Sequence, residues 1–180
     1  IVDQAPAIPV NDMTLDSRRV TPGALFVALS GTRVHGLQYV DQAIANGCCA
    51  VLAEPDANWS REHIDALGLA VPVMVVDDLR FRIGMIASRF CGEPSEKLKI
   101  IGYTGTNGKS SCVWLTAGVL ENCVMIGTIG NGRPGRLQKA THTTPDAITL
   151  QKMLASYRKD GMSAVAMEVS SHALDQGRID

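Results

Sequence analysis

The chain has 180 residues, of which 17 are lysine or arginine and 18 are aspartate or glutamate, giving a formal net charge of −1. Because these charges balance, no strong field draws the chain to nucleic acid or to an anionic membrane, and we expect neither as a partner. Hydrophobic residues make up 46% of the sequence, which excludes a disordered chain, and the apolar runs are too short to cross a bilayer. The first ten residues carry no secretory signal pattern and no initiating Met, so we expect an incomplete N-terminus.

The cysteines form no pattern typical of disulfides or of zinc sites. The count is odd, no C-x-x-C is present, and the adjacent pair can hardly form a bridge. We interpret them as small buried hydrophobic residues and expect a reducing, cytoplasmic location. They are Cys48, Cys49, Cys91, Cys112 and Cys123.

The first half of the chain predicts alternating strands and helices, which indicates an α/β unit with mostly parallel strands. Helical spacing of apolar residues and glycine or aspartate at the ends set the helices, and short apolar runs set the strands. In chain order we predict a strand at 24–29, a helix at 37–46 ended by Gly47, a strand at 49–53, a polar segment with a surface helix at 54–70, a strand at 73–76, and a helix capped by Asp77-Asp78 with Leu79, Ile83, Ile86 and Phe90 on its apolar face.

A turn-rich, charged segment over residues 92–97 interrupts the pattern and predicts a domain boundary. We therefore expect one domain over residues 1–95 and part of another over 96–180. After the interruption we predict a strand at 98–104, a glycine loop at 105–108, a helix at 109–121, a strand at 124–128, a loop at 130–144, a helix that begins at Pro145 with Thr144 as its cap, and a strand at 164–169.

The glycine loop carries the clearest chemical signal. The sequence Thr104-Gly105-Thr106-Asn107-Gly108-Lys109-Ser110 lies between a predicted strand and a predicted helix, which is the context of a phosphate-binding P-loop. Glycines there let backbone N–H groups approach phosphate oxygens, and the helix N-terminus adds partial positive charge. We expect the Lys109 ammonium to reach the transferred phosphate and the Ser110 hydroxyl to complete a Mg²⁺ shell. An ordinary glycine-rich turn is the alternative.

One position departs from the general P-loop pattern. The pattern G-x-x-x-x-G-K-[ST] places its first glycine five residues before Gly108, and this chain has Tyr103 there. The loop is therefore a variant, with its additional glycine at Gly105.

An acidic residue lies at the end of the last predicted strand. Glu168 is followed shortly by Ser170, Ser171 and His172, and in parallel α/β sheets ligands gather beyond the carboxyl ends of the strands. A carboxylate that faces a P-loop is placed to hold Mg²⁺ directly or through water. The alternatives are a carboxylate that caps the next turn or pairs with a nearby arginine.

Several segments together resemble the Mur ligase family. Residues 105–111 resemble its ATP loop, in which the first position of the wider P-loop pattern is not glycine either. Residues 16–18 and 22–31 are similar to the N-terminal uridine-nucleotide domain that the MurE and MurF branches share. Thr106-Asn107, His142-Thr143-Thr144-Pro145-Asp146 and the whole of 167–178 are similar to segments of the MurE branch.

The resemblance implies an α/β fold, with a small N-terminal α/β UDP-binding domain followed by the start of a P-loop-type parallel-sheet ATPase, the Mur ligase central domain. It implies an ATP-dependent amide ligase of cytoplasmic peptidoglycan precursor synthesis that uses Mg²⁺. Such a ligase adds a diamino acid, meso-diaminopimelate or L-lysine, to UDP-N-acetylmuramoyl-L-alanyl-D-glutamate (UDP-MurNAc-L-Ala-D-Glu) through an acyl phosphate. The protein's share is positioning and charge neutralisation.

The same resemblance implies the residues of each site. Lys109 and Glu168 are the implied catalytic residues, and Ser110 and Glu168 the implied Mg²⁺ ligands. The implied ATP contacts are Gly105, Thr106, Asn107, Gly108, Lys109, Ser110 and Ser111. The implied contacts to the nucleotide sugar, whose diphosphate and uracil require cationic, hydroxyl and amide groups, are Leu15, Ser17, Thr32, Arg33, His142, Thr143, Thr144, Ser170, Gln176 and Arg178.

By the same resemblance we expect the chain to be an N-terminal fragment, without the rest of the central domain and without the third domain that selects the amino acid. Two other functions stay open. One is a non-catalytic nucleotide- or UDP-sugar-binding module. The other is a ligase similar to folylpolyglutamate synthase, which shares the P-loop but is not expected to carry the domain that contains Asp16-Ser17-Arg18. The sequence indicates neither the diamino acid nor the oligomeric state.

Overall fold

The computed structural model describes residues 7–31 and 34–179, and the chain divides into two compact units, residues 1–79 and 80–180. The two-domain division at residues 95 and 96 that the sequence predicts stays a prediction. Within the described ranges, no helix combines the length and the apolar character needed to cross a membrane.

The first unit is built on a parallel sheet of four strands in the order β1-β2-β3-β4. Its core brings together apolar side chains from the strands and the flanking helices, among them Phe26, Leu37, Val51 and Ile64. Gly47 follows the first helix with a φ of +92°, as its predicted role requires. The elements are β1 (Asp12–Thr14), β2 (Ala24–Ala28), a 3₁₀ turn (Gly36–Tyr39), α1 (Val40–Ala45), β3 (Ala50–Ala53), α2 (Arg61–Ala66) and β4 (Val73–Val75).

The second unit contains a sheet of five strands in the order β5-β9-β6-β7-β8. Strands β5, β9 and β6 are parallel, whereas β7 and β8 form antiparallel pairs beside β6. The elements are α3 (Leu79–Phe90), a 3₁₀ turn (Pro94–Glu96), β5 (Lys99–Tyr103), α4 (Lys109–Val119), β6 (Cys123–Gly127), β7 (Gly130–Arg133), β8 (Arg136–Gln138), α5 (Ala147–Lys159), β9 (Ala164–Glu168) and α6 (Ser171–Asp175).

The alternation of side chains along β9 and β6 assigns each face of this sheet to one helix. Ala164 and Ala166 of β9 pack with Met125 of β6 and Val113 of α4. The intervening residues pack with Leu150 and Leu154 of α5 on the other face. Because side chains alternate with a period of two, the residues that continue the α4 face are Gly127 on β6 and Glu168 on β9.

Several predicted details are wrong. The predicted loop over 130–144 contains the β7–β8 hairpin, whose residues lack the apolar alternation that marks a strand. Helix α5 is capped by Asp146, whose side chain accepts a hydrogen bond from Thr149 N at 2.9 Å, and not by Thr144. Pro145 therefore precedes the cap. Phe90, predicted on the apolar face of α3, is 40% exposed.

The cysteines are all free thiols. Cys48 and Cys123 are buried as predicted, and burial raises the pKa of both thiols above the ordinary value. Cys112 is exposed in α4, so its interpretation as a buried hydrophobic residue is wrong.

Candidate nucleotide and metal site

The glycine loop connects the end of β5 to the start of α4. Gly105 and Gly108 have φ angles of +130° and +81°, and a Cβ atom on either would meet no atom within 4 Å. Glycine is therefore needed here for backbone conformation and not for lack of space. Gly108 is the N-cap of α4 and provides no side-chain hydrogen bond, so the N–H groups of the first turn of this 11-residue helix are oriented toward the loop.

The other residues of the loop lie at its surface. Thr106, Asn107 and Ser111 are exposed, and Lys109 is half-buried. The Lys109 ammonium donates a hydrogen bond to the Gly105 carbonyl at 2.6 Å. An ammonium has three N–H donors, so this contact holds the lysine over the loop while leaving donors for a second acceptor.

Tyr103 occupies the position that departs from the general P-loop pattern. Its ring packs beside the cluster between the sheet and α4, and its hydroxyl lies 2.5 Å from Thr116 Oγ1 on α4. A glycine at this position would remove both contacts. Tyr103 therefore joins β5 to α4, and the glycine loop begins only after it.

Glu168 lies beneath the loop and is 2% exposed. Its Oε1 atom accepts hydrogen bonds from Ser110 Oγ at 2.9 Å and from the Thr128 backbone N–H at 2.8 Å. Thr128 Oγ1 lies 3.4 Å from Oε2. In the described part of the chain, no lysine, arginine or histidine nitrogen lies within ion-pairing distance of this carboxylate.

The structure thus brings together the two implied Mg²⁺ ligands, Ser110 and Glu168, which are 58 residues apart in sequence. It does not favour the alternatives for Glu168, since the carboxylate neither caps the next turn nor pairs with an arginine: Ser170 caps α6. Sequence reasoning missed Gly127 and Thr128. The signal that could have identified them is the period of two along β6, which places Gly127 on the same sheet face as Glu168.

Thr144 and its neighbours hold the backbone around Glu168. Thr144 is 1% exposed, and its hydroxyl donates to the Glu168 carbonyl at 2.8 Å and accepts from Ser170 N at 3.2 Å. The Thr144 carbonyl accepts from Arg178 Nη1 at 3.0 Å, and Arg178 Nε donates to Gln176 Oε1 at 2.9 Å. These four implied substrate contacts are therefore engaged with one another.

The two preceding residues of this segment are more open. His142 is exposed, and Thr143 Oγ1 lies 3.0 Å from Thr128 Oγ1. The segment 142–144 therefore contacts the β6–β7 turn through Thr143 and the backbone of Glu168 through Thr144.

The implied substrate contacts of the first unit are only partly described. Thr32 and Arg33 lie outside the described residues, and Leu15 is half-buried. Ser17 is 6% exposed, and its hydroxyl donates to Gln42 Oε1 at 2.6 Å. This bond anchors the 3₁₀ turn Ser17–Arg19 to α1.

Asp16 caps that turn. Its carboxylate accepts from the backbone N–H of Arg18 at 3.0 Å and forms an ion pair with the guanidinium at 2.8 Å. The side-chain hydrogen bond from Arg18 is the largest cause that lowers the pKa of Asp16 below its ordinary value.

A separate cavity of about 280 Å³ lies in the second unit, at the turn between β7 and β8 and the end of α5. Its lining includes Arg133, Arg136 and Tyr157 but none of the loop residues. Burial raises the pKa of Tyr157 to about 12, so its phenol is neutral at physiological pH.

Comparison with known proteins agrees with this arrangement. Residues 9–91 match the family described as Mur ligase family, catalytic domain, and residues 103–180 match the Mur ligase middle domain. The chain is 46% identical over 178 residues to the UDP-N-acetylmuramoyl-L-alanyl-D-glutamate–2,6-diaminopimelate ligase of Alkalilimnicola ehrlichii. It is 44% identical over 174 residues to the ligase of that name from Pseudomonas aeruginosa. These alignments cover 95% and 94% of the chain but only 36% and 35% of the relatives.

Solved structures show the same fold. A structure of a UDP-N-acetylmuramoyl-L-alanyl-D-glutamate–2,6-diaminopimelate ligase aligns with 99% of the chain and 36% of its own length, at 34% identity and a TM-score of 0.77. MurF from Thermotoga maritima in complex with ADP aligns with 93% of the chain and 34% of its own length, at 19% identity and a TM-score of 0.57. At that identity the second likeness concerns the fold alone. The two domain matches together span most of the sequence, and the chain belongs to the Mur ligase family.

Proposed function

We propose that this chain supplies the UDP-substrate domain and the nucleotide loop of an ATP-dependent amide ligase of cytoplasmic peptidoglycan precursor synthesis. The proposed ligase joins a diamino acid to UDP-MurNAc-L-Ala-D-Glu. The curated relatives named above are called diaminopimelate ligases, which favours meso-diaminopimelate over L-lysine as the amine. The chain spans about a third of the length of those relatives. The activity of a complete ligase is therefore part of what we propose.

The observation that carries the proposal is the contact between Ser110 and Glu168 beneath the glycine loop. A buried carboxylate is costly unless a cation or several hydrogen bonds compensate its charge. Glu168 receives donors from Ser110 and Thr128, mostly at Oε1, so Oε2 keeps capacity for a cation. The Ser110 hydroxyl donates a hydrogen bond to Glu168 Oε1 and retains lone pairs for a cation.

These two oxygen groups fit Mg²⁺, which prefers hard oxygen ligands and commonly completes its shell with water and phosphate oxygens. When bound, Mg²⁺ supplies charge neutralisation to the phosphates of ATP. A cation at this place also supports binding of the nucleotide by the loop, because the carboxylate alone would repel the phosphates.

The chain's own residues have separable tasks in this proposal. The loop backbone between Gly105 and Gly108 and the first turn of α4 bind phosphate oxygens through N–H groups. Lys109 neutralises the charge that shifts to the leaving ADP oxygen while a carboxylate oxygen of the substrate attacks the γ-phosphorus. The amine then attacks the acyl carbon, loses a proton, and phosphate leaves as the amide forms.

Titration of the 180-residue chain with Mg·ATP tests the nucleotide site. Lys109→Ala removes one charge-assisted contact, worth about 1.5–3 kcal/mol, so we expect an affinity about ten- to a hundredfold lower. Lys97→Ala is the matched control, because Lys97 also donates to a glycine carbonyl, that of Gly92, at 2.7 Å. We expect it to leave the affinity unchanged. Equal affinities for Lys109→Ala and the unsubstituted chain would contradict the proposal.

A second measurement separates the ligase from a non-catalytic binding module. ADP and phosphate release is followed in the longest natural polypeptide that carries these residues, with UDP-MurNAc-L-Ala-D-Glu and either diaminopimelate or lysine. We expect turnover that requires the amine and is faster with diaminopimelate. We expect none from the 180-residue chain, and binding without turnover in the longer polypeptide would favour the binding module.

A further inference from the structure

We infer that Gly127, at the end of β6, is a positioning residue that seats the Glu168 carboxylate beside Ser110. The inference rests on the proposed function, since it concerns how the carboxylate of the proposed Mg²⁺ site is held. It goes further in assigning that task to the β6–β7 turn, a part of the chain that carries no phosphate-binding motif.

Gly127 lies directly against the Glu168 side chain. Gly127 has no positive φ, so its backbone conformation does not require glycine. A Cβ atom at this position would lie 2.8 Å from Glu168 Cγ and 2.9 Å from Cδ, and nearer still to Oε1. Such contacts are far inside the van der Waals distance between carbon atoms. The Glu168 carboxylate therefore occupies the space that a side chain at position 127 would fill.

The register of β6 on β9 leads to the same pair of residues. Cys123 and Met125 of β6 pair with Ala164 and Ala166 of β9 in the parallel ladder. Continuing this register by two residues places Gly127 beside Glu168 on the α4 face. A residue of any size at position 127 would thus meet the carboxylate directly and could not turn to the other face without a shift of the strand.

The turn that follows Gly127 also donates a hydrogen bond to the Glu168 carboxylate. Residues Thr128 and Ile129 connect the paired Gly127 and Gly130, so the Thr128 N–H stands just beyond the ladder. It donates to Glu168 Oε1 at 2.8 Å. This is the oxygen that also accepts from Ser110 Oγ. The turn and the first residues of α4 therefore hold one carboxylate oxygen between them, and they leave Oε2 for the proposed cation.

The turn itself is fixed from the β7 side. The Gly127 N–H donates to Asn131 Oδ1 at 3.2 Å, and Gly127 pairs with Gly130 in the antiparallel ladder. A larger residue at position 127 therefore has to displace the carboxylate, because the backbone is held on both sides. The displaced carboxylate would lose its contact with Ser110, with Thr128 or with both.

The test measures the Mg²⁺ concentration that gives half-maximal ATP binding to the 180-residue chain. For Gly127→Ala we expect this midpoint to rise about ten- to a hundredfold, the usual effect of removing a partner that orients a metal ligand. Gly118→Ala in α4 is the matched control, since a Cβ there meets no atom within 4 Å, and we expect no change in the midpoint.

A double-mutant cycle shows whether Gly127 acts through Glu168. We expect Glu168→Gln to raise the Mg²⁺ midpoint, and Gly127→Ala to add nothing further in that background. Full additivity would mean that Gly127 acts elsewhere and would overturn the inference. If Lys109→Ala and Glu168→Gln leave binding unchanged, the proposed function fails; if they weaken it and Gly127→Ala does not, only this inference fails.

A second pair of variants covers the case in which Gly127→Ala does not fold. Thr128→Pro removes the N–H that donates to Glu168, whereas Thr128→Ala keeps it and removes only the hydroxyl. We expect Thr128→Pro to raise the Mg²⁺ midpoint severalfold more than Thr128→Ala, with thermal unfolding showing that both are folded. Equal midpoints for the two variants would overturn the inference.

Discussion

Replacing Thr144 by valine tests whether this residue serves as an internal support for Glu168. Valine has nearly the same shape, so the change removes the hydroxyl and leaves the packing. In the structure that hydroxyl donates to the Glu168 carbonyl at 2.8 Å and accepts from Ser170 N at 3.2 Å. Thr144 is 1% exposed, so water cannot replace the lost partners without a rearrangement.

The expected loss follows from these two hydrogen bonds. Each contributes about 0.5–1.5 kcal/mol net, and a buried donor left without an acceptor costs about 1–3 kcal/mol. Because Ser170 is only half-buried, we expect the lower part of that range and a total of about 2–3 kcal/mol. For a unit of this size the melting temperature would fall by roughly 10–20 °C.

The two tryptophans allow the second unit to be observed separately. Trp59 stacks on His63 in the first unit with ring centroids 4.9 Å apart, whereas Trp114 lies on α4 and is 41% exposed. In a Trp59→Phe background, tryptophan fluorescence therefore reports the second unit alone. Urea unfolding followed at Trp114 gives the free energy of unfolding for Thr144→Val and for its parent.

Thr144→Ser is the matched control, because serine keeps the hydroxyl and loses one methyl group. Its expected cost is about 1 kcal/mol. We expect Thr144→Val to be more destabilising than Thr144→Ser, although valine is closer to threonine in size. If valine proves as stable as serine or more so, the hydroxyl bonds of Thr144 do not support this part of the unit, and the argument is refuted.

Two further predictions concern Tyr103 and Asp16. Tyr103→Phe loses only the contact with Thr116 Oγ1 and should lower the free energy of unfolding by about 1 kcal/mol. Tyr103→Gly also loses packing and should lower it by about 3 kcal/mol. Unfolding followed by Trp114 fluorescence measures both, and an unchanged free energy of unfolding for Tyr103→Gly would contradict the role of Tyr103 in joining β5 to α4. Arg18 lowers the pKa of Asp16. The ionised carboxylate therefore stabilises the first unit fully when the pH is above the pKa of an unfolded aspartate, about 3.9, and this stabilisation is lost as the pH falls through the lower pKa of the folded state. Asp16→Asn should therefore cost at most about 1 kcal/mol near neutrality, since the pair is solvent-exposed, and the difference should shrink on acidification when unfolding is followed at Trp59.

The sequence alone predicted the position of the glycine loop between a strand and a helix, and of an acidic residue at a strand end, for a physical reason. Gly105 and Gly108 mark backbone conformations that other residues rarely adopt, and both have positive φ in the structure. Glu168 can be identified as a candidate from the sequence because a carboxylate at the end of an apolar strand has few structural uses. Local chemistry of this kind needs no knowledge of which strands are neighbours.

What sequence reasoning missed depends on contacts between distant segments. Gly127 resembles an ordinary glycine before a turn until β9, which begins 37 residues after it, is known to lie beside β6. The β7–β8 hairpin is similarly hidden, because its pairing comes from backbone hydrogen bonds and its side chains do not alternate. The cap of α5 was misassigned to Thr144, since both Thr144 and Asp146 are good caps and only the tertiary partner of Thr144 decides between them.

The same tertiary contacts change how the segment 142–146 is interpreted. A hydroxyl has one proton, and that of Thr144 already goes to the Glu168 carbonyl, so Thr144 can offer a ligand no donor without giving up this support. Arg178 likewise donates to the Thr144 carbonyl and to Gln176. His142 is exposed, and Thr143 reaches the Thr128 hydroxyl at the turn beside Glu168. A substrate phosphate or sugar that binds this segment would therefore meet His142 and Thr143 first, while Thr144, held in turn by Arg178, ties the segment to the backbone of Glu168.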